Sequence, residues 1–353
     1  MTDYTPQTEL EKLVLKYPDK PWYWKGVSKN PNITMDFIEA NPDKPWDWTV
    51  ISENPNITMD FIEKYIDKHL HWNSWNRFSR NPAITEDILE ANPNKPWEWY
   101  WISKNPNITM EFIEKNPDKP WNWNGISINK NLTMEFIDKY SNKNWFWNFI
   151  SRNPNITMDI IEEHPNKPWD FLWCSDNPNI KIEFIEKYND KPWNWRWISR
   201  NPNITMDIIE SHPNKPWNWF WISENPNITM EFIEAYPDKD WDWYSISRNP
   251  NITMDIIEKN PDKPWEWAGI SMNPNLTLEF IEKHKPWDWF SISLNDFGYF
   301  NNNPIDYYKK RKNETIKKTK IIKEELIMKT WNPDRLINWC FDIEERKEWF
   351  DNE

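Results

Sequence analysis

The sequence predicts an all-α solenoid, and three observations carry that prediction. A 24-residue unit recurs along most of the 353-residue chain. Prolines stand at fixed places in it, and sustained period-two alternation is lacking. Residues 42–65, PDKPWDWTVISENPNITMDFIEKY, are representative. The first residue of each W-x-W pair (W-x-F at Trp169) falls at Trp97, Trp121, Trp145, Trp169, Trp193, Trp217, Trp241 and Trp265, every step being 24 residues. Further copies begin at Trp22, Trp46 and Trp287. A divergent copy between Trp46 and Trp97 carries three extra residues and keeps Trp75 as its second Trp; the last copy is two residues short. Twelve units thus occupy roughly residues 8–295. A unit this small cannot bury a core alone, so neighbours must stack. The chain divides into a repeat array, residues 1–295, and a tail, residues 296–353.

Each element of the unit follows from its residues. Asp43-Lys44-Pro45 reads as a helix start, with Pro in the first turn. The run Trp46 to Ser52 stops before Asn54-Pro55, because a residue preceding Pro avoids the α region. Thr58 reads as the N-cap of a second helix, Met59 to Lys64, with Asp60 favourably placed in its first turn. Helices this short need tertiary packing to persist. Residues two apart on a helix point about 200° apart, so Trp46 and Trp48 are expected to pack on different neighbouring units. A column of Asn at the same period, including Asn30, Asn54, Asn129, Asn225 and Asn273, is expected to bond corner backbone or indole groups between units.

ISENPNITMDFIEKY resembles the leucine-rich-repeat-variant unit, which is also about 24 residues long and carries an A-x-N-P-x-T-P-x-E-x-L type pattern. The matching residues are Asn54-Pro55, Thr58, Asp60 and the apolar pair Phe61-Ile62. The resemblance implies a right-handed superhelix of short helices and no activity. Trp pairs in place of small residues, and Met59 in place of a second Pro, depart from the pattern. Residues 328–350, MKTWNPDRLINWCFDIEERKEWF, resemble C-terminal segments of uncharacterised proteins of mimivirus-like giant viruses.

Composition narrows the function classes. The chain holds 30 Trp, 30 Pro and 4 Gly, and its mean hydropathy of -0.96 would suit a disordered chain were 17% of it not aromatic. A net charge of -13 argues against nucleic acid and anionic membranes as general partners. No apolar run reaches the ~18 residues of a membrane span, and MTDYTPQTEL lacks signal-peptide features. Two cysteines make no disulfide framework and suit a reducing compartment. The expected location is cytoplasmic, or the host cytoplasm or virion if the protein is viral. The N-I-T and N-L-T sequons read as by-products of the helix-capping Thr.

No catalytic constellation emerges, and no catalytic, cofactor or metal site is expected. His164, His212 and His284 share a repeat position with Tyr65, Asn116 and Tyr188, which reads as a helix end. His69 and His71 lack cysteines at metal-site spacing. Cys174 replaces a core Ile, and Cys340 lies in an aromatic segment. The acids of the Glu39, Glu63 and Glu114 column are periodic, whereas catalytic carboxylates occupy singular, unlike environments. They read as a solvated ladder paired with a Lys column that includes Lys167, Lys215 and Lys263. Gly-poor composition also disfavours a phosphate loop.

Positions fixed across units serve the shared packing, and variable ones are free for recognition. The two residues after W-x-W vary most, and the residue between Ser and Asn alternates among Lys29, Glu53, Arg80, Lys104, Arg152, Asp176, Arg200, Glu224 and Arg248. Aromatics and Arg are typical interface anchors. Tyr100, Trp101, Arg196, Trp197, Phe220, Trp221 and Tyr244 are therefore the candidate partner-binding residues. In the tail, a basic run from Lys309 to Lys323 precedes an apolar pattern at Ile321, Ile322, Leu326 and Ile327. It reads as a helical cap for the last repeat, with binding of an acidic partner as the alternative. The expectation is a non-enzymatic scaffold that binds a protein along an array on the order of 100 Å long. A virion-associated structural component is the alternative.

Overall fold

The structure, a computed structural model, describes residues 5–65, 74–284 and 286–298. Twenty-four short helices follow one another, with no strand among the described residues. The first half comprises α1 (Glu9–Lys16), α2 (Trp24–Lys29), α3 (Met35–Ala40), α4 (Trp48–Ile51), α5 (Met59–Tyr65), α6 (Ser74–Ser79), α7 (Glu86–Ala91), α8 (Trp99–Lys104), α9 (Met110–Lys115), α10 (Trp123–Ile128), α11 (Met134–Lys139) and α12 (Trp147–Ser151). The second comprises α13 (Met158–Glu163), α14 (Phe171–Cys174), α15 (Ile182–Lys187), α16 (Trp195–Ser199), α17 (Met206–Ser211), α18 (Trp219–Ile222), α19 (Met230–Ala235), α20 (Trp243–Arg248), α21 (Met254–Lys259), α22 (Trp267–Ser271), α23 (Leu278–Lys283) and α24 (Trp289–Leu294). Odd-numbered helices are capped mostly by Thr and are called T-helices below. Even-numbered ones begin at or near the second Trp and are called W-helices. The protein is an all-α repeat solenoid.

Local chemistry sets both helix starts. In the T-helices, Thr34, Thr109 and Thr229 each accept a hydrogen bond from the backbone N–H three residues on. The W-helix starts later than Asp43-Lys44-Pro45 suggests. Residues 42–47 form a turn and an extended lead, and Asp47, between the two Trp, is the cap. The first Trp is thus not helical. Its indole N–H reaches back to the carbonyl that ends the preceding T-helix, as from Trp46 to Asn41 (2.8 Å) and from Trp217 to His212 (2.9 Å). This bond holds the chain extended until the cap.

Both Trp nevertheless join units, as expected. The second Trp of one unit meets the first Trp of the next edge-to-face, for example Trp24–Trp46 at 5.2 Å and Trp195–Trp217 at 5.1 Å. The second Trp also stacks on the next T-helix, Trp48 against Phe61 with planes 14° apart. Beneath these rings lies a continuous core of fully buried Ile51, Ile102, Ile150 and Ile198 from W-helices and Ile33, Ile108 and Ile156 from the corners.

The Asn column binds backbone and leaves the indoles alone. Asn54 Nδ2 lies 3.2, 3.0 and 3.0 Å from the carbonyl oxygens of Ser28, Asn30 and Ile33 in the preceding unit. Asn129, Asn177, Asn225 and Asn273 repeat the pattern. Buried corner carbonyls, which would otherwise be costly, are thereby satisfied.

The last unit docks on the first in the same register. Asn30 Nδ2 donates to the carbonyls of Ser293 (3.1 Å) and Asn295 (2.9 Å), as Asn54 does to Ser28 and Asn30. The Tyr23 N–H donates to Ser293 Oγ at 3.0 Å, matching the Asp47 N–H to Ser28 Oγ at 2.9 Å. Trp22 meets Trp289 edge-on at 5.0 Å, and Lys16 pairs with Glu282. The array is therefore a closed ring instead of an extended superhelix. Twelve units close a circle when each turns by about 30° on average. The outer face of α24, which a tail cap was expected to cover, is occupied by α2. Beyond Gly298 the tail lies outside the described residues.

Candidate functional site

Equivalent elements of a ring lie closer together the nearer they are to its axis. Successive W-helices pack directly on one another. At Gly125 a Cβ would fall 2.5 Å from the Tyr100 carbonyl oxygen, and at Gly269 the same distance from that of Tyr244. Successive T-helices are bridged by long side chains: Lys64–Glu39 at 2.9 Å, Lys139–Glu114 at 2.7 Å, Lys187–Glu162 at 2.7 Å and Lys283–Glu258 at 2.8 Å. W-helices accordingly form the inner wall and T-helices the outer. Helices ~8–10 Å apart and about 10 Å thick with their side chains leave an opening on the order of 20 Å.

All seven predicted binding residues sit on W-helices, in the positions that vary between units. Ile51-type residues turn toward the T-helices and are fully buried. The second and sixth positions of the W-helix therefore face the opening, while the third turns onto the neighbouring W-helix, where Val50, Ser245 and Ser291 are buried. Arg196 and Phe220 are exposed there, Phe220 at 48%. Trp101, Trp197 and Trp221 are half-buried because the neighbouring unit covers one face of each ring. Arg80 lies over Trp101 with its guanidinium carbon 4.2 Å from the ring centre, and Arg200 over Trp221 at 5.0 Å. Trp197 packs against Trp173 at 5.3 Å. Tyr100 leans on Trp101 at 5.0 Å, and Tyr244 donates its hydroxyl hydrogen to Met272 Sδ at 3.2 Å. α16, α18 and α20 follow in adjacent units and bring five of the seven together, while Tyr100 and Trp101 on α8 stand four units away.

The residue between Ser and Asn links units electrostatically. Arg200 reaches Asp176 at 3.0 Å and Glu224 at 3.7 Å, and Arg77 reaches Glu53 at 2.7 Å. Burial lowers the Lys104 ammonium from its usual range, and the charge of Arg152 adds to the effect. Sequence reasoning missed the Ser column, whose hydroxyls accept the backbone N–H that opens the next unit's W-helix, as from Asp170 to Ser151 and Asn218 to Ser199, both 2.9 Å. Its signal was a small polar residue repeated without change beside a core Ile.

The chemistry-bearing residues occupy structural positions. Cys174 is fully buried, and burial pushes its thiol up to about 12. His164 and His212 cap T-helix C-termini and accept indole bonds through their carbonyls. His69 and His71 lie outside the described residues. The periodic acids form the outer ion pairs given above, together with Lys167–Asp138, Lys215–Glu186 and Lys263–Glu234. Among the described residues there is no cluster of three His, Cys, Asp or Glu able to hold a metal, and no helix long and apolar enough to cross a membrane. Two notches open between neighbouring units, one of about 210 Å³ by Trp97 and Phe112, the other of about 510 Å³ by Asp159 and Lys181.

The fold thus defines a class, the Trp-rich repeat solenoid closed on itself. Set against known proteins, the chain matches no protein-family profile, no curated protein and no solved structure.

Proposed function

We propose that the ring is a non-enzymatic recognition scaffold that docks a protein partner on its inner wall. One observation carries this reading. The variation between otherwise near-identical units is concentrated where W-helix side chains meet the opening, while core, corner and Trp-pair positions stay nearly constant. The mechanism is multipoint docking on a preformed surface, whose ordering cost is met by the ring before the partner arrives. Phe220 and Arg196 on α18 and α16 are the exposed anchors, and the half-buried Trp197 and Trp221 form the floor between them.

Site-specific photo-crosslinking tests the reading. A benzophenone amino acid at position 220 should give discrete adducts in native cells, whereas one at Asp207 on the outer wall should not. Adducts from position 207 alone, or equal adducts from both, would move the docking surface off the inner wall. A structural role, including one in a virus particle, would instead give adducts between copies of this chain at both positions. End-to-end growth of the array is not open to such a component, because α2 and α24 already occupy each other's outer faces.

A further inference from the structure

The inner wall is basic although the array carries the whole net charge of -13. At the second and sixth W-helix positions, counted from the second Trp or the Phe171 that replaces it, stand eight Lys or Arg and only three acids. Those acids, Glu53, Asp176 and Glu224, each pair with a W-helix arginine. Lys104, Arg196 and Arg248 have no ion pair with any described carboxylate. Lys104 is held below its usual range by burial and by the like charge of Arg152, so an anion arriving there relieves a cost the free protein already carries.

Apolar groups alternate with these cations. Leu172 is 41%, Phe220 48% and Phe290 51% exposed, all at the second position of their W-helices. An opening on the order of 20 Å admits an extended segment or a single helix more readily than a folded domain. From unit six to unit ten the sixth position runs Arg152, Asp176, Arg200, Glu224, Arg248. A phosphate backbone, negative at every step, would meet a carboxylate at each second unit. A peptide with spaced acids and apolar residues between them would not.

We infer that the inner wall takes an extended acidic peptide segment with interspersed aromatic or aliphatic residues, its carboxylates on Lys104, Arg196 and Arg248. This rests on the proposed docking role of the same wall and adds the chemistry of the partner. The full-length protein is titrated into a labelled 16-residue peptide of repeating Glu-Phe-Glu-Ser, a matched Gln-Phe-Gln-Ser peptide and a 20-nucleotide oligo(dT). Fluorescence anisotropy is read at low and high salt. The Glu peptide should bind at least tenfold tighter than the Gln peptide at 50 mM salt, and the preference should collapse at 500 mM. The triple variant Lys104→Glu, Arg196→Glu, Arg248→Glu should lose at least tenfold in affinity for the Glu peptide with an unchanged melting temperature. It leaves the tail's basic run intact, so tail binding would survive it.

Equal affinity for the Glu and Gln peptides, an unaffected triple variant or tighter binding of oligo(dT) would each overturn the inference. If the triple variant unfolds, the single variant Arg196→Glu, at an exposed site, replaces it with the same criterion. The two readings fail separately. Adducts at position 220 without a Glu preference leave the docking wall standing and remove only the acidic partner, whereas absent adducts remove both.

Discussion

Asn30 and Asn295 lie at opposite ends of the array in sequence and in contact in space: the amide of Asn30 donates to the Asn295 carbonyl at 2.9 Å. The bond is the counterpart of Asn54 to Asn30 at 3.0 Å, so the junction between the chain's two ends resembles an internal one. Replacing Asn30 by Ala removes this bond and the one to Ser293, leaving buried carbonyls unpaired, and should cost about 2–4 kcal/mol. Hydrogen exchange should locate the loss. Amides in 286–298 should exchange faster in Asn30→Ala, while those in α11 and α12 stay protected. Uniform protection would mean that closure adds little to stability.

Truncation after Gly298 tests whether the array needs a separate cap. The outer face of α24 is already taken by α2. The truncated protein should therefore melt within a few degrees of the full chain. A drop of more than about 10 °C, beyond what 1 kcal/mol causes in a domain of this size, would show that the tail closes the fold after all.

Gly125 permits the close approach of α10 to α8. A Cβ there would meet the Tyr100 carbonyl oxygen at 2.5 Å and Ser103 Cβ at 2.9 Å. Gly125→Val should cost about 1–3 kcal/mol through forced backbone shifts. Urea denaturation measures it. A neutral result would show that the ring can expand locally.

Trp217 donates its indole N–H to the carbonyl of His212, the last group of its T-helix. Trp217→Phe keeps a ring against Trp195 but loses that bond, and should cost about 1–3 kcal/mol. Trp217→Ala should cost about 3–5 kcal/mol. Chemical denaturation of the pair separates ring from hydrogen bond; equal losses would deny the bond any role.

Burial raises the Cys174 thiol to about 12, against about 8.5 for a free thiol. The folded protein keeps it neutral, while the unfolded chain ionises it above its ordinary range. Its contribution to stability is therefore full below about pH 8.5 and is lost as pH rises toward about 12. In a Cys340→Ser background, Cys174 should resist iodoacetamide at pH 8 and react once urea is added. Stability should fall more steeply between pH 9 and 11 than in the Cys174→Val variant. Rapid alkylation of the folded protein would contradict its burial.

Much of this molecule was legible in its sequence because each instruction is written many times. Thr58, Asn54-Pro55 and the Trp pair fixed the unit, its T-helix and its inter-unit contacts. The Asp43-Lys44-Pro45 start was misplaced by local propensity, since the indole bond of Trp46 to Asn41 holds the chain extended to Asp47. Closure could not be read from any one unit. It depends on a small rotation summed over twelve copies, and the contacts that complete it, such as Trp22–Trp289, repeat the internal ones. The candidate wall was found by its variability. Its geometry was not, because the half-burial of Trp101 and Trp221 follows from how close neighbouring W-helices come.

Meeting of the two ends also sets a rule for heredity. An open stack tolerates gain or loss of a copy, since each addition merely lengthens it. Here one copy more or fewer would leave α2 and α24 overlapping or parted. Closure thus ties the fold to its number of copies, while a three-residue insertion in one unit and a two-residue shortening in the last are length changes it carries within single copies. Any starting point around the circle would serve a permuted chain equally well.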